Sequence, residues 1–159
     1  MKYFEDMRVG DRYEIGSHKF TAENIKSFAQ RFDPQPFHLD EAAAAKSHFG
    51  ALCASGWQTL VAWMPLMLAY RQRLQDEIRA RGETPGITGP APGITGLKWL
   101  KAVYAGDTIA YVTEVKSLRR SQSRPEWALA ALLTTGVNQK GEPVIEFTST
   151  SFVPVRSPS

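Results

Sequence analysis

The sequence predicts an α+β fold, an antiparallel sheet wrapped round one long buried helix. Helical spacing of apolar residues is confined to the first half of the chain, before Gly82. Four strand-length segments then follow one another with short links, which implies an antiparallel sheet whose apolar face needs a cover. The run LVAWMPLMLAY (residues 60–70) is apolar nearly all round and can supply that cover.

The first element is a strand within DRYEIGSHKF (residues 11–20). Thr21 then caps a helix through AENIKSFAQRF, where Ile25, Phe28 and Phe32 recur at helical spacing. Pro34 and Pro36 end it, because proline lacks an amide donor and restricts the residue before it. Asp40 is placed to cap a second short helix, EAAAAKSHF (residues 41–49), closed by Gly50. A third helix should begin near Ser55–Gly56 and run to Gly82. Its first half reads as buried on every side, whereas its charged second half leaves the core for solvent. Pro65 should kink or break it. In GETPGITGPAPGITG (residues 82–96) the sequence PGITG occurs twice, too little for a repeat architecture. The segment reads as a loop, either a plain surface connection or a lid. The strands that follow are ITGLKWLKAV (94–103), DTIAYVTEVKSLRR (107–120), EWALAALLTTGVNQ (126–139) and EPVIEFTSTSFVPV (142–155). Ile109, Tyr111, Thr113 and Val115 alternate onto one face, and VNQKGEP reads as a hairpin turn.

A chain of 159 residues suits one domain, residues 1–159, with a real core. Its 43% hydrophobic and 22% charged residues are ordinary for a globular protein. The 19 basic and 16 acidic side chains give a net charge of +3, spread along the chain. That balance suits an anionic small molecule better than nucleic acid, which calls for a clustered basic face. The single cysteine, Cys53, excludes an internal disulfide framework and a multi-cysteine metal site, and it fits a reducing cytoplasm. The N-terminal residues lack a signal-peptide core, and the longest apolar run is too short to cross a bilayer. A soluble, cytoplasmic protein without a membrane or nucleic-acid partner is expected.

The candidate chemistry lies in FDPQPFHLDE (residues 32–41). Imidazole titrates near neutrality, and a neighbouring carboxylate can orient it or share its proton transfers. The prolines between Asp33 and His38 stiffen the chain, and Pro-Gln-Pro-Phe is expected to be extended or turned. Rigid backbone lowers the entropy lost in keeping two reacting groups aligned. On chemistry alone a second reading stands beside this one, in which Asp33 caps a turn and His38 packs at a loop edge.

FAQRFDPQPFHLDEAAAAKSHFG resembles the hydratase motif of the MaoC-like dehydratases, the (R)-specific enoyl-CoA hydratase family of hot-dog-fold proteins. That motif runs aspartate, any residue, asparagine, proline, any residue, histidine, and falls here on residues 33–38. FEDMRVGD, ASGWQTL and YAGDTI are further points of likeness, so the resemblance spans nearly the whole chain. Two positions depart from it: Gln35 stands where asparagine is usual, and Ser55 where many relatives have histidine.

The resemblance implies a hydro-lyase that adds water to a 2-enoyl-CoA thioester, or removes it from a 3-hydroxyacyl-CoA. Asp33 and His38 would be catalytic and grip the water. The Gly56 amide would serve as oxyanion hole, and Ser55, Trp57 and Gln35 would contact substrate. No metal or cofactor is implied, since coenzyme A is part of the substrate. A homodimer, or an oligomer of dimers, is implied as well. Two alternatives are a hot-dog thioesterase and a catalytically silent acyl-CoA-binding protein.

The remaining candidates have simpler readings. Asp40 reads as a helix cap, His18 and His48 as surface or turn residues, and Cys53 as a small buried side chain. His38, Asp40 and His48 form no compact metal-ligand pattern. Trp57, Trp63, Met64 and Met67 read as core that could also line an acyl pocket. Lys98, Lys101, Arg119, Arg120 and Arg124 could meet coenzyme A phosphates or stand solvated.

Overall fold

The computed structural model describes residues 2–87 and 89–156. Thr88, inside the expected loop, and residues 1 and 157–159, at the expected domain bounds, lie outside it. After a short 3-10 turn at Phe4–Asp6 come β1 (Arg12–Lys19), α1 (Ala22–Phe32), α2 (Pro36–Leu39), α3 (Glu41–Ala45) and α4 (Gly56–Ala80). They are followed by β2 (Gly93–Trp99), β3 (Thr108–Arg120), β4 (Trp127–Val137) and β5 (Pro143–Pro154). The five strands form one sheet in the order β1-β3-β4-β5-β2, every neighbour antiparallel. The sheet and the long helix α4 make the hot-dog arrangement that the sequence predicts.

The core sits between α4 and the sheet. The alternation read in β3 is realised, with Ile109, Tyr111, Thr113 and Val115 all buried. Ala62, Trp63 and Met67 of α4 share one core cluster with Ile145 and Phe147 of β5, and the Trp63 and Phe147 rings meet edge to face at 5.1 Å. Tyr111 also donates its hydroxyl to the Thr59 carbonyl at 2.6 Å, which ties the sheet to α4 near the helix start. The hairpin between β4 and β5 closes at Asn138, whose amide bonds the Glu142 carbonyl, while Gly141 takes the left-handed conformation at φ +78°.

Four sequence expectations need correction. Pro36–Leu39 is one turn of helix, not extended chain, because proline at the first helical position gives up an amide that the helix would leave unpaired anyway. The helix expected over residues 41–49 stops at Ala45, although Asp40 caps it as read, accepting from the Ala43 amide at 2.7 Å. Pro65 does not break α4, which is continuous from Gly56 to Ala80. The carbonyl that Pro65 leaves unpaired belongs to Val61, on an exposed face where solvent can satisfy it.

Finally, the apolar half of α4 is not buried on every side. Trp57, Val61, Met64 and Leu68, spaced as one helical stripe, are 54%, 54%, 45% and 55% exposed. Trp57 and Met64 are therefore surface residues, while Trp63 and Met67 are core as read.

The glycine- and proline-rich segment before β2 is tied to the sheet, because the Phe152 amide donates to the Pro90 carbonyl at 2.9 Å. Gly89 lies so close to Phe152 and Trp127 that a Cβ would collide with both.

Candidate functional site

The site is built where α1 ends. The Asp33 amide still donates to the Ala29 carbonyl, and Asp33 then leaves helical geometry as the C-cap. Gln35 folds back, its amide bonding the Asp33 carbonyl at 2.7 Å and its side-chain nitrogen donating to Asp33 Oδ1 at 2.8 Å. The longer glutamine amide thus braces the carboxylate directly. Pro36 opens α2, which carries His38 inward until it is only 5% exposed.

His38 is held on both sides. Its Nδ1 lies 2.7 Å from the Cys53 carbonyl, and since a carbonyl only accepts, Nδ1 carries the proton. In neutral imidazole that leaves Nε2 as an acceptor, and Nε2 faces Asp33 Oδ2 at 3.5 Å. Two acceptors cannot bond each other, but both can accept from one water molecule. For Asp33, burial favours the neutral acid. The Ser55 hydroxyl and the Gln35 amide, joined by His38 whenever its ring is protonated, outweigh it and hold the carboxyl below its ordinary pKa. Cys53 is buried, and burial pushes its thiol up to about 11, which makes it a poor nucleophile.

The second wall is the start of α4. Ser55 is buried and caps the helix, its hydroxyl oxygen accepting from the Trp57 amide at 3.3 Å. Gly56 is the first helical residue, so no preceding turn supplies a carbonyl for its amide. Its missing side chain has an immediate packing reason, because a Cβ there would lie 2.6 Å from Trp99 Nε1. Trp99 and Trp57 meet edge to face at 5.2 Å, both about half exposed.

Together these residues line one cleft of about 510 Å³ that contains Asp33, Gln35, His38, Ser55, Gly56 and Trp57. Phe37, Phe49, Trp99, Leu100 and Val103, not among the residues expected from the sequence, also line its walls. Their only local signal was aromatic and aliphatic character, which core residues share. A larger cavity, about 650 Å³, lies near Tyr3, Trp127 and Arg156 and includes none of the candidate residues.

The other candidates fall elsewhere or are engaged. His18 and His48 do not line the cleft. Lys98 pairs with Glu146, Lys101 with Glu142 and Arg120 with Glu5, and of the basic candidates only Lys101 borders the cleft. Among the described residues no group of three or more His, Cys, Asp and Glu side chains is placed to hold a metal ion. Among them, too, no helix is long and apolar enough to cross a membrane.

Known proteins place the chain. The sequence model for the FAS1-like dehydratase domain region matches residues 7–147. A crystal structure of the MaoC-like dehydratase from Rhodospirillum rubrum is 33% identical, covering 99% of this chain and 100% of that one, with a TM-score of 0.74. Uncharacterized protein YdeM of Bacillus subtilis (strain 168) is 30% identical over 142 residues, 89% of this chain and 92% of its own length. The (R)-hydratase from A. caviae involved in PHA biosynthesis shares the fold, with 22% identity, a TM-score of 0.64, and coverage of 96% of this chain and 99% of that one. The chain belongs to the FAS1-like dehydratase-region family, among the MaoC-like dehydratases of the hot-dog fold.

Proposed function

We propose that this protein is a hydro-lyase that adds water across the double bond of a trans-2-enoyl-CoA, or runs the reverse dehydration. The observation that carries this is the 3.5 Å gap between Asp33 Oδ2 and His38 Nε2, two acceptors facing each other with His38 locked in one tautomer. A water that donates to both keeps its oxygen lone pair free for attack. The new C–O bond forms at C3 as the pair takes a proton from the water, and the pair returns a proton to C2. Asp33 and His38 act here as one coupled unit. Negative charge gathers on the thioester oxygen in between, where the Gly56 amide at the positive end of α4 can receive it.

Trp99 packs over Gly56, so the thioester reaches that amide once the indole swings aside. Its half exposure leaves room for the movement. Trp57 and Gln35 then border the bound acyl group, and Ser55 supports Asp33.

The enzyme is further proposed to work as a homodimer, because the Trp57–Leu68 stripe of α4 is an exposed apolar surface that a second copy would cover. A lone, unpaired cysteine suits a cytoplasmic setting.

Purified protein given crotonyl-CoA should remove the enoyl-thioester absorbance without releasing thiol. Thiol release would make it a thioesterase, and saturable binding without turnover a silent acyl-CoA binder. Either result rejects the proposal.

A further inference from the structure

Beneath the middle of α4 lies a second cavity, about 70 Å³, that shares no lining residue with the Asp33–His38 cleft. Its walls are mainly apolar, drawn from Met7, Ile15, Trp63, Met67, Leu74 and Leu132. Arg71 borders it on the helix side and Lys2 on the other, the Lys2 ammonium standing 4.9 Å from the Tyr13 ring centre. No aspartate or glutamate lines it.

Arg71 is the unusual group. Its side chain is partly buried, and burial pulls its pKa below the ordinary guanidinium value. It joins none of the ion pairs or hydrogen bonds among the described residues, whereas Arg79 on the same helix pairs with Asp76 at 3.1 Å. A partly buried charge without a partner is costly, and a fold relieves that cost most directly by receiving an anion. Trp63, whose buried indole nitrogen has no partner, also lines this cavity. A neutral acyl chain would leave Arg71 as it is, and a bare inorganic anion would gain nothing from the apolar walls.

We propose that this cavity is a ligand site, separate from the hydratase cleft, for a small amphiphilic carboxylate. The carboxylate pairs with the Arg71 guanidinium through parallel N–H···O bonds, with Lys2 adding positive potential at the same mouth. The tail enters between Met67 and Leu132. A cavity of about 70 Å³ limits the tail to a few carbons.

Thermal unfolding of the full chain, titrated with butyrate and in parallel with uncharged butyramide, tests this. A ligand that binds only the native state raises Tm with concentration, following RT ln(1 + [L]/Kd). Butyrate should raise Tm, and butyramide or sodium chloride at equal ionic strength should not. Arg71→Met should abolish the response while the free protein unfolds at the same or a higher temperature, because an uncompensated charge has gone. Leu132→Phe, which fills the tail space and keeps Arg71, should abolish it too, and Arg71→Met alone decides if that variant does not fold.

The proposal is overturned by no response to butyrate, an equal response to butyramide, or a response that survives Arg71→Met. It is also overturned if Arg71→Met changes the sedimenting mass, which would make Arg71 a contact between copies.

Discussion

Asp33 is the residue whose environment says most about the site. Its carboxyl is held below its ordinary pKa against burial by Ser55, Gln35 and His38. A depressed folded-state pKa means that folding favours the charged form. The resulting stabilisation is complete above the unfolded-state value and is lost as pH falls through the folded-state value. Asp33→Asn should therefore unfold at a lower temperature than wild type at neutral pH. The difference should close below the ordinary carboxylate range, as followed by melting curves across pH. A constant difference down to the most acid sample would contradict this electrostatic account.

Asp33 and His38 were legible in the sequence because proline spacing and motif chemistry both pointed to them. The Cys53 carbonyl that fixes the His38 tautomer was not, since a main-chain acceptor fifteen residues away leaves no side-chain signature.

At the scale of elements, periodicity decided what could be read. β3 alternates strictly and came out with its buried face correct, and α4 was bounded correctly by Ser55 at one end and glycine at the other. The short helix at Pro36 was missed because proline was read only as a terminator, although it also starts helices. The exposed stripe of α4 was missed because a segment apolar all round gives no sign of which face stays open.

Close packing of side chains on the buried face of the sheet gives a test at this scale. Gly136 in β4 faces buried Ile145, Ile109 and Tyr111, and a Cβ there would lie 2.6 Å from Ile145 Cγ2. Gly136→Ala should cost about 1–3 kcal/mol through overpacking. In urea this appears as a lower midpoint with an unchanged slope. An unchanged midpoint would mean that the layer has slack the packing does not show.

At the scale of the whole molecule, the cleft borders the surface where Trp57 and Trp99 are exposed, and the apolar stripe of α4 runs away from it. Burial of that stripe by a second copy would place the cleft beside the interface. Leu68→Glu, at a site 55% exposed in the single chain, should convert the proposed dimer to monomers in sedimentation equilibrium with the secondary structure retained. A wild-type monomer, or a dimer untouched by Leu68→Glu, contradicts the assignment. No local pattern could reveal this surface, because it exists only once the sheet has covered the opposite side of the helix.

The most direct test of the proposed water-activating pair is a double-mutant cycle on kcat/KM for crotonyl-CoA hydration, using Asp33→Asn, His38→Ala and the combined variant. Each single change should lower the rate by about 10²–10⁴-fold, as loss of a general acid–base group does. The combined variant should be little worse than either, as expected of groups that act as one unit. Near-normal rates in either single variant, or losses that multiply fully in the double variant, would show that Asp33 and His38 do not grip a shared water.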